Sequence, residues 1–191
     1  MKWFLSILMV ATLSLVGLKV MAQDEKKEEK NRFEEEVPEE LKYYKQKYDA
    51  TYKEPIELVI KAVAKSIADL PCEVIQNTLK ATEDGFLKGV IKSDYCVFVE
   101  GDSTYDKLKI YSLKMPFIRA GAWSNGRMQY KFTITQQPDS TCYLILKGAV
   151  SGFEKYVTYK VHFWESNGIL ETRLMESIER NIKLLKETGG Q

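Results

Sequence analysis

PIELVIKAVAKSIADLP, residues 55–71, followed directly by CEVIQNTLKATEDGFLKGVIKSDYCVFV, residues 72–99, decides the fold class. In the first stretch Ile56, Val59, Ile60, Val63, Ile67 and Leu70 recur at i, i+3, i+4, i+7, i+11 and i+14, the period of a helix with one apolar face. Pro55 suits a first helical turn, and Pro71 ends the pattern. The second stretch changes period and reads as a β-hairpin. Its loop Glu83-Asp84-Gly85 suits a type I turn closed by Gly85 at positive φ. A helix packed on a sheet is the smallest arrangement that buries both apolar faces.

Working outward, LKYYKQKYDATYKEP carries Tyr44, Tyr48 and Tyr52 at a spacing that fits a helix face or a strand face, and the period does not decide between them. KLKIYSLKM, residues 107–115, reads as a strand, and RMQYKFTITQQ and TCYLILKGAV as two more, joined at the turn signature Gln137-Pro138-Asp139-Ser140. YVTYKVHFW, residues 156–164, is the last expected strand. A closing helix starts near Ser166 or Asn167, carries Leu170, Leu174, Ile178, Ile182 and Leu185 along one side, and stops at Thr188-Gly189-Gly190. The expected fold is therefore α+β, an antiparallel sheet of five to six strands with two amphipathic helices packed on one face.

The chain opens MKWFLSILMVATLSLVGLKVMAQ, a positive start, a mostly apolar run and small residues before a cleavage point, which reads as a secretory signal over residues 1–22. The run is shorter than the ~20 residues of a spanning helix, so no transmembrane segment is expected in the mature chain. The protein is expected to be exported, periplasmic or extracellular. Residues 24–40, DEKKEEKNRFEEEVPEE, hold 13 charged residues in 17, and the segment 23–40 reads as a solvated linker or an acidic recruitment arm. Residues 41–191 form the expected single domain. Removing the signal takes away Lys2 and Lys19 and no acid, so 26 basic residues face 27 acidic ones, for a net charge of −1. That balance gives no reason to expect a nucleic-acid partner.

No motif points to chemistry. His162, the only histidine, lies in HFWESNG, with Trp164 and Glu165 close by. Strand alternation sets Thr158, Lys160, His162 and Trp164 on one face and Val157, Tyr159, Val161 and Phe163 on the other, which leaves His162 in the more polar set. No HxH, HxxxH or CxxC spacing supplies metal partners, and GxSxG, GxxxxGK[ST] and GxGxxG are all missing. A carboxylate pair of the glycosidase kind would show itself only in space. The expectation is no enzyme, no cofactor and no metal.

The loop KMPFIRAGAWSNGRM, residues 114–128, is the candidate binding element: it combines Met115, Phe117, Ile118 and Trp123 with Arg119 and Arg127, residue types enriched at interface centres. The other reading has this loop fold back over the end of the core. For the hairpin, a three-residue loop at 83–85 sets Cys72 opposite Cys96, where Cα atoms lie ~4.5–5.5 Å apart and a disulfide is feasible. A bulge would turn one thiol away and leave three reduced cysteines. Cys142, on a face with Leu144 and Leu146, reads as a buried free thiol.

The element order, carried by EPIELVIKAVAKSIADL, the TEDGFLKGVI turn and the ESNGILETRLMESI helix entry, resembles the helix-grip domains of lipoprotein C of the outer-membrane β-barrel assembly machinery over about residues 49–185. The chain departs from that family in lacking a lipobox cysteine and in having one such domain rather than two. The resemblance implies a non-enzymatic interaction domain with no cofactor and no catalytic residues. Two function classes follow: a binding or scaffold domain of the bacterial cell envelope with an envelope protein as partner, acting through loop 115–123, or a carrier of a small apolar ligand held between the C-terminal helix and the sheet.

Overall fold

Residues 56–68 coil because their apolar spacing lets one stripe leave water together, and the computed structural model, which describes residues 41–101 and 103–189, shows helix α1 at Ile56–Ala68. The signal reading of residues 1–22 and the linker reading of 23–40 lie outside the described residues. A short strand β1, Tyr48–Tyr52, precedes α1. Strands β2, Val74–Ala81, and β3, Leu87–Glu100, form the expected hairpin, and Gly85 takes φ +80° in its turn. Helix α2, Thr104–Ile110, is followed by β4, Trp123–Gln136, β5, Cys142–Glu154, β6, Lys160–Trp164, and helix α3, Ile169–Glu187.

The fold is α+β: among the described residues, a six-stranded antiparallel sheet with three helices. Strands run in the order β1-β5-β4-β3-β2, and β6 also pairs with β5. Because β4 takes one edge of β5, β1 and β6 share the other, with β1 on residues 142–146 and β6 on residues 150–154. Lys147, Gly148 and Ala149 lie between them without a strand partner on that edge. Directly paired residues share a face, so the rows Ile91–Phe132–Leu146 and Cys96–Met128–Val150–Trp164 point to one side. That inner side carries the core. Val59, Val63 and Ile67 of α1 and Leu174, Ile178 and Ile182 of α3 are buried against it. The helices also meet through a buried bond from Asn181 Nδ2 to Ser66 Oγ, 2.8 Å.

Two sequence expectations need correction. Residues 107–110 are helical, not a strand, because Thr104 and Leu108, one turn apart, are both buried and Leu108 fills the space left by Gly126 on β4. An i, i+2 alternation in four residues cannot be told from an i, i+4 pair when the neighbouring surface is unknown. The last strand begins only at Lys160, since residues 155–159 wrap around the carboxylate of Glu154. The closing helix starts at Ile169, after Gly168 at φ +88°; Ser166 Oγ accepts from the Gly168 amide at 3.0 Å and Asn167 Oδ1 from the Ile169 amide at 3.3 Å.

Cys72 and Cys96 are joined in a disulfide, with Cα atoms 4.7 Å apart. The ladder does shift between Val74 and Gln76, the kind of bulge expected to separate the pair, yet the shift occurs where the bridge still closes. Cys142 is a buried free thiol whose Sγ lies 3.3 Å from the Glu54 carbonyl, and burial pushes its pKa up.

Candidate functional site

The structure divides the expected binding loop. Trp123 and Arg127 belong to strand β4, and Trp123 is 5% exposed in a second apolar cluster with Val99 and Leu108. Met115 and Ile118 are half-buried against that cluster, so the segment before β4 folds back over the end of the core. Phe117, 83% exposed, and Arg119 are the members that face water. Arg127 lies on the outer sheet face with its guanidinium 5.1 Å from the Tyr95 ring. The six residues do not form one surface.

His162 sits on the inner side, opposite Gly152, edge-on to Trp123 at 5.5 Å between ring centres. The more polar face of this strand is thus the face turned inward, because Glu154 supplies it with a buried acceptor. Glu154 is fully buried and accepts backbone N–H bonds from Ala122 at 3.0 Å, Tyr156 at 2.8 Å, Val157 at 3.0 Å and Thr158 at 2.6 Å. Thr158 Oγ1 also donates to it at 2.9 Å; having used its proton there, the hydroxyl accepts from His162 Nε2 at 2.7 Å. Burial works to raise the Glu154 pKa, but the four amides outweigh it and hold the carboxyl well below the usual carboxylate range. The network Glu154–Thr158–His162 locks a turn. Tyr159 within it takes φ +53°, a left-handed conformation that the surrounding bonds sustain.

This turn pushes apolar side chains outward. Tyr156, Val157, Tyr159, Val161 and Phe163 are 71%, 56%, 73%, 40% and 60% exposed. Val161 and Phe163 pair with Phe153 and Ser151 on the outer face, and the Tyr159 ring packs edge-on to Phe153 at 5.2 Å. Strand alternation separated Val157, Tyr159, Val161 and Phe163 from His162; the sheet turns the His162 set inward, with His162 itself half-buried.

The remaining outer face is cationic. Lys92 pairs with Lys131, and Lys131 with Lys147, so three lysines stand in one row across β3, β4 and β5. Lys80 and Lys88 form a second directly opposed pair on the same side. Like charges set opposite one another destabilise a sheet, so folding alone gives no reason for the arrangement. The acids at paired outer positions are Asp49 and Glu100. Asp49 is already engaged by Lys47 at 3.5 Å and by the Tyr143 hydroxyl, which holds its pKa down. Among the described residues none of the five lysines has a salt bridge. Sequence reasoning missed the row because its members lie far apart in the chain; only the strand register aligns them.

On the inner side, Gly148 leaves room for the Glu171 carboxyl: a Cβ there would stand 2.7 Å from Glu171 Oε1 and 2.3 Å from Met128 Cε. Glu171 is 3% exposed in the first turn of α3 and accepts from Ser166 Oγ at 2.7 Å. Burial raises its pKa, and the Ser166 bond offsets only part of that. A carboxylic acid whose folded pKa is raised weakens folding progressively as pH climbs past its unfolded value of ~4.3. Glu171→Gln is therefore expected to melt about 2–4 °C above the wild type at pH 8 and at the same temperature near pH 4, read by circular dichroism. Equal melting at both values would show that the carboxyl is solvated.

Among the described residues no group of three or more His, Cys, Asp and Glu side chains is placed to hold a metal ion. No described helix is long and apolar enough to cross a membrane. No family model, curated protein or solved structure matches the chain.

Proposed function

We propose that this chain is an exported, non-enzymatic binding or scaffold domain of the cell envelope, with its contact surface on the β6 margin of the sheet together with Phe117. The observation that carries the reading is the group of exposed apolar side chains Phe163, Tyr159 and Val161 beside a turn whose own polar groups are satisfied by Glu154, with Phe117 exposed on the segment before β4. Exposed aromatics fixed on a rigid margin cost little entropy to engage and are typical anchors of binding. The signal-like start and the disulfide both suit an oxidising compartment. The resemblance of the element order to helix-grip interaction domains supports the same class of function.

The carrier reading draws less support. Leu174, Ile178, Ile182 and Leu185 are between 0% and 7% exposed, and the cleft between the C-terminal helix and β1, about 250 Å³, is lined mostly by polar and charged side chains, among them Lys45, Asp49, Thr172, Glu176 and Glu179, which suits no apolar ligand. The test is cross-linking in envelope preparations with Phe163→Ser and Phe117→Ser. Loss of anchors of this kind costs about 2 kcal/mol or more, so adduct formation should fall by at least about tenfold. Unchanged adducts in both serine variants would sink the assignment.

A further inference from the structure

We propose that the outer face of the sheet docks on an anionic lipid surface, with Lys92, Lys131 and Lys147 meeting the phosphates and Val161 and Phe163 of β6 lying at headgroup depth. The inference rests on the reading of this domain as a binding module and names the partner of its uncovered face. Three observations carry it. The first is charge: paired outer positions hold Lys80, Lys88, Lys92, Lys131, Lys147 and Arg127 against Asp49 and Glu100, and Asp49 is taken up by Lys47 and Tyr143.

The second is shape. Of the outer positions on β3, β4 and β5, only Ser151 is buried, and no described helix covers this side. Adjacent strands stand ~4.8 Å apart, which puts the backbones of the three lysines of the row within ~10 Å. An array of phosphates can engage all three ammonium groups of such an uncovered row at once. Lysine suits it too, since its flexible stem lets the ammonium follow headgroups that have no fixed spacing. A second copy of this chain is disfavoured as occupant, because two such faces repel.

The third is the apolar margin. Val161 and Phe163 share the outer face with the lysines, at the end of β5 away from the row, and are 40% and 60% exposed. Aromatic and aliphatic side chains beside a cationic face are the combination that holds a protein at a membrane interface, where each lysine adds about 1 kcal/mol near anionic lipid.

The experiment is flotation of the full chain with phosphatidylcholine vesicles and with the same vesicles containing phosphatidylglycerol. Binding should appear with the anionic vesicles, weaken strongly between about 0.05 and 0.5 M NaCl, and be slight with the neutral ones. The triple variant Lys92→Gln, Lys131→Gln, Lys147→Gln should bind on the order of 100-fold more weakly, and the corresponding triple Lys→Arg variant should retain binding. Folding is checked in the same samples: the glutamine variant should melt no lower than the wild type, because it relieves repulsion between opposed lysines. Equal binding to both vesicle types, an unaffected glutamine variant, or binding to soluble polyphosphate but not to vesicles would overturn the proposal. Vesicle failure alongside a Phe163-dependent protein adduct removes the lipid partner alone; failure of both removes the binding-face reading as well.

Discussion

Replacing Cys72 and Cys96 together by alanine is expected to destabilise the domain by about 3 kcal/mol, or about 6–12 °C in Tm, because the bridge closes a loop with a sequence separation of 24 that the unfolded chain otherwise leaves open. The effect should be concentrated at one end of the sheet. β2 is an edge strand with one neighbour, its ladder slips between Val74 and Gln76, and the disulfide ties its start to the middle of β3 past that slip. Without the tie, hydrogen exchange should accelerate first in Val74–Thr78, ahead of β4 and β5. A prior check is thiol labelling of the denatured, unreduced chain, which should find one free thiol, Cys142. Three labelled thiols would show that the bridge does not form.

The second large effect is expected from Glu154→Ala, with Tm falling by about 5–10 °C, since it leaves the amides of Ala122, Tyr156, Val157 and Thr158 and the Thr158 hydroxyl without their acceptor. The turn 155–159 should then open, and Lys155 and Lys160 on its flanks should become preferred tryptic sites in the folded protein. The pH dependence has a defined sign. A carboxyl whose folded pKa lies below its unfolded one stabilises above ~4.3, and the stabilisation disappears as pH falls towards the folded value. Wild type and variant should therefore converge in acid, opposite to the divergence expected at alkaline pH for Glu171→Gln. If the variant melts with the wild type at pH 7, the carboxylate does not hold the turn.

These two sites differ in how much of them could be read from the chain. The disulfide was legible as one of two outcomes, because a hairpin with a short loop has a countable register, whereas the bulge at Val74 that shifts the count was not. Glu154 was invisible. It is one of 27 acidic residues in the sequence, and what distinguishes it is four amides that come from two segments, 122 and 156–158. The candidate binding loop shows the same limit. Its composition correctly marked an apolar segment at the end of the core, but composition cannot separate Trp123, which is buried, from Phe117, which is 83% exposed.

Local signals by themselves determined the hairpin with its Gly85 turn, the apolar faces of α1 and α3, the antiparallel α+β class and the burial of Cys142. Each depends on periods of two or 3.6 residues, or on one residue's conformational freedom, and such signals are complete within a few turns of chain. Only the tertiary structure decided that residues 107–110 coil, because the surface that buries Leu108 is Gly126 on a later strand. It alone decided which face of β6 meets the core, because a period of two defines two faces and the sheet chooses between them. The row Lys92–Lys131–Lys147 likewise exists only through strand register, a long-range property that brings residues distant in the chain to about 5 Å between neighbouring backbones.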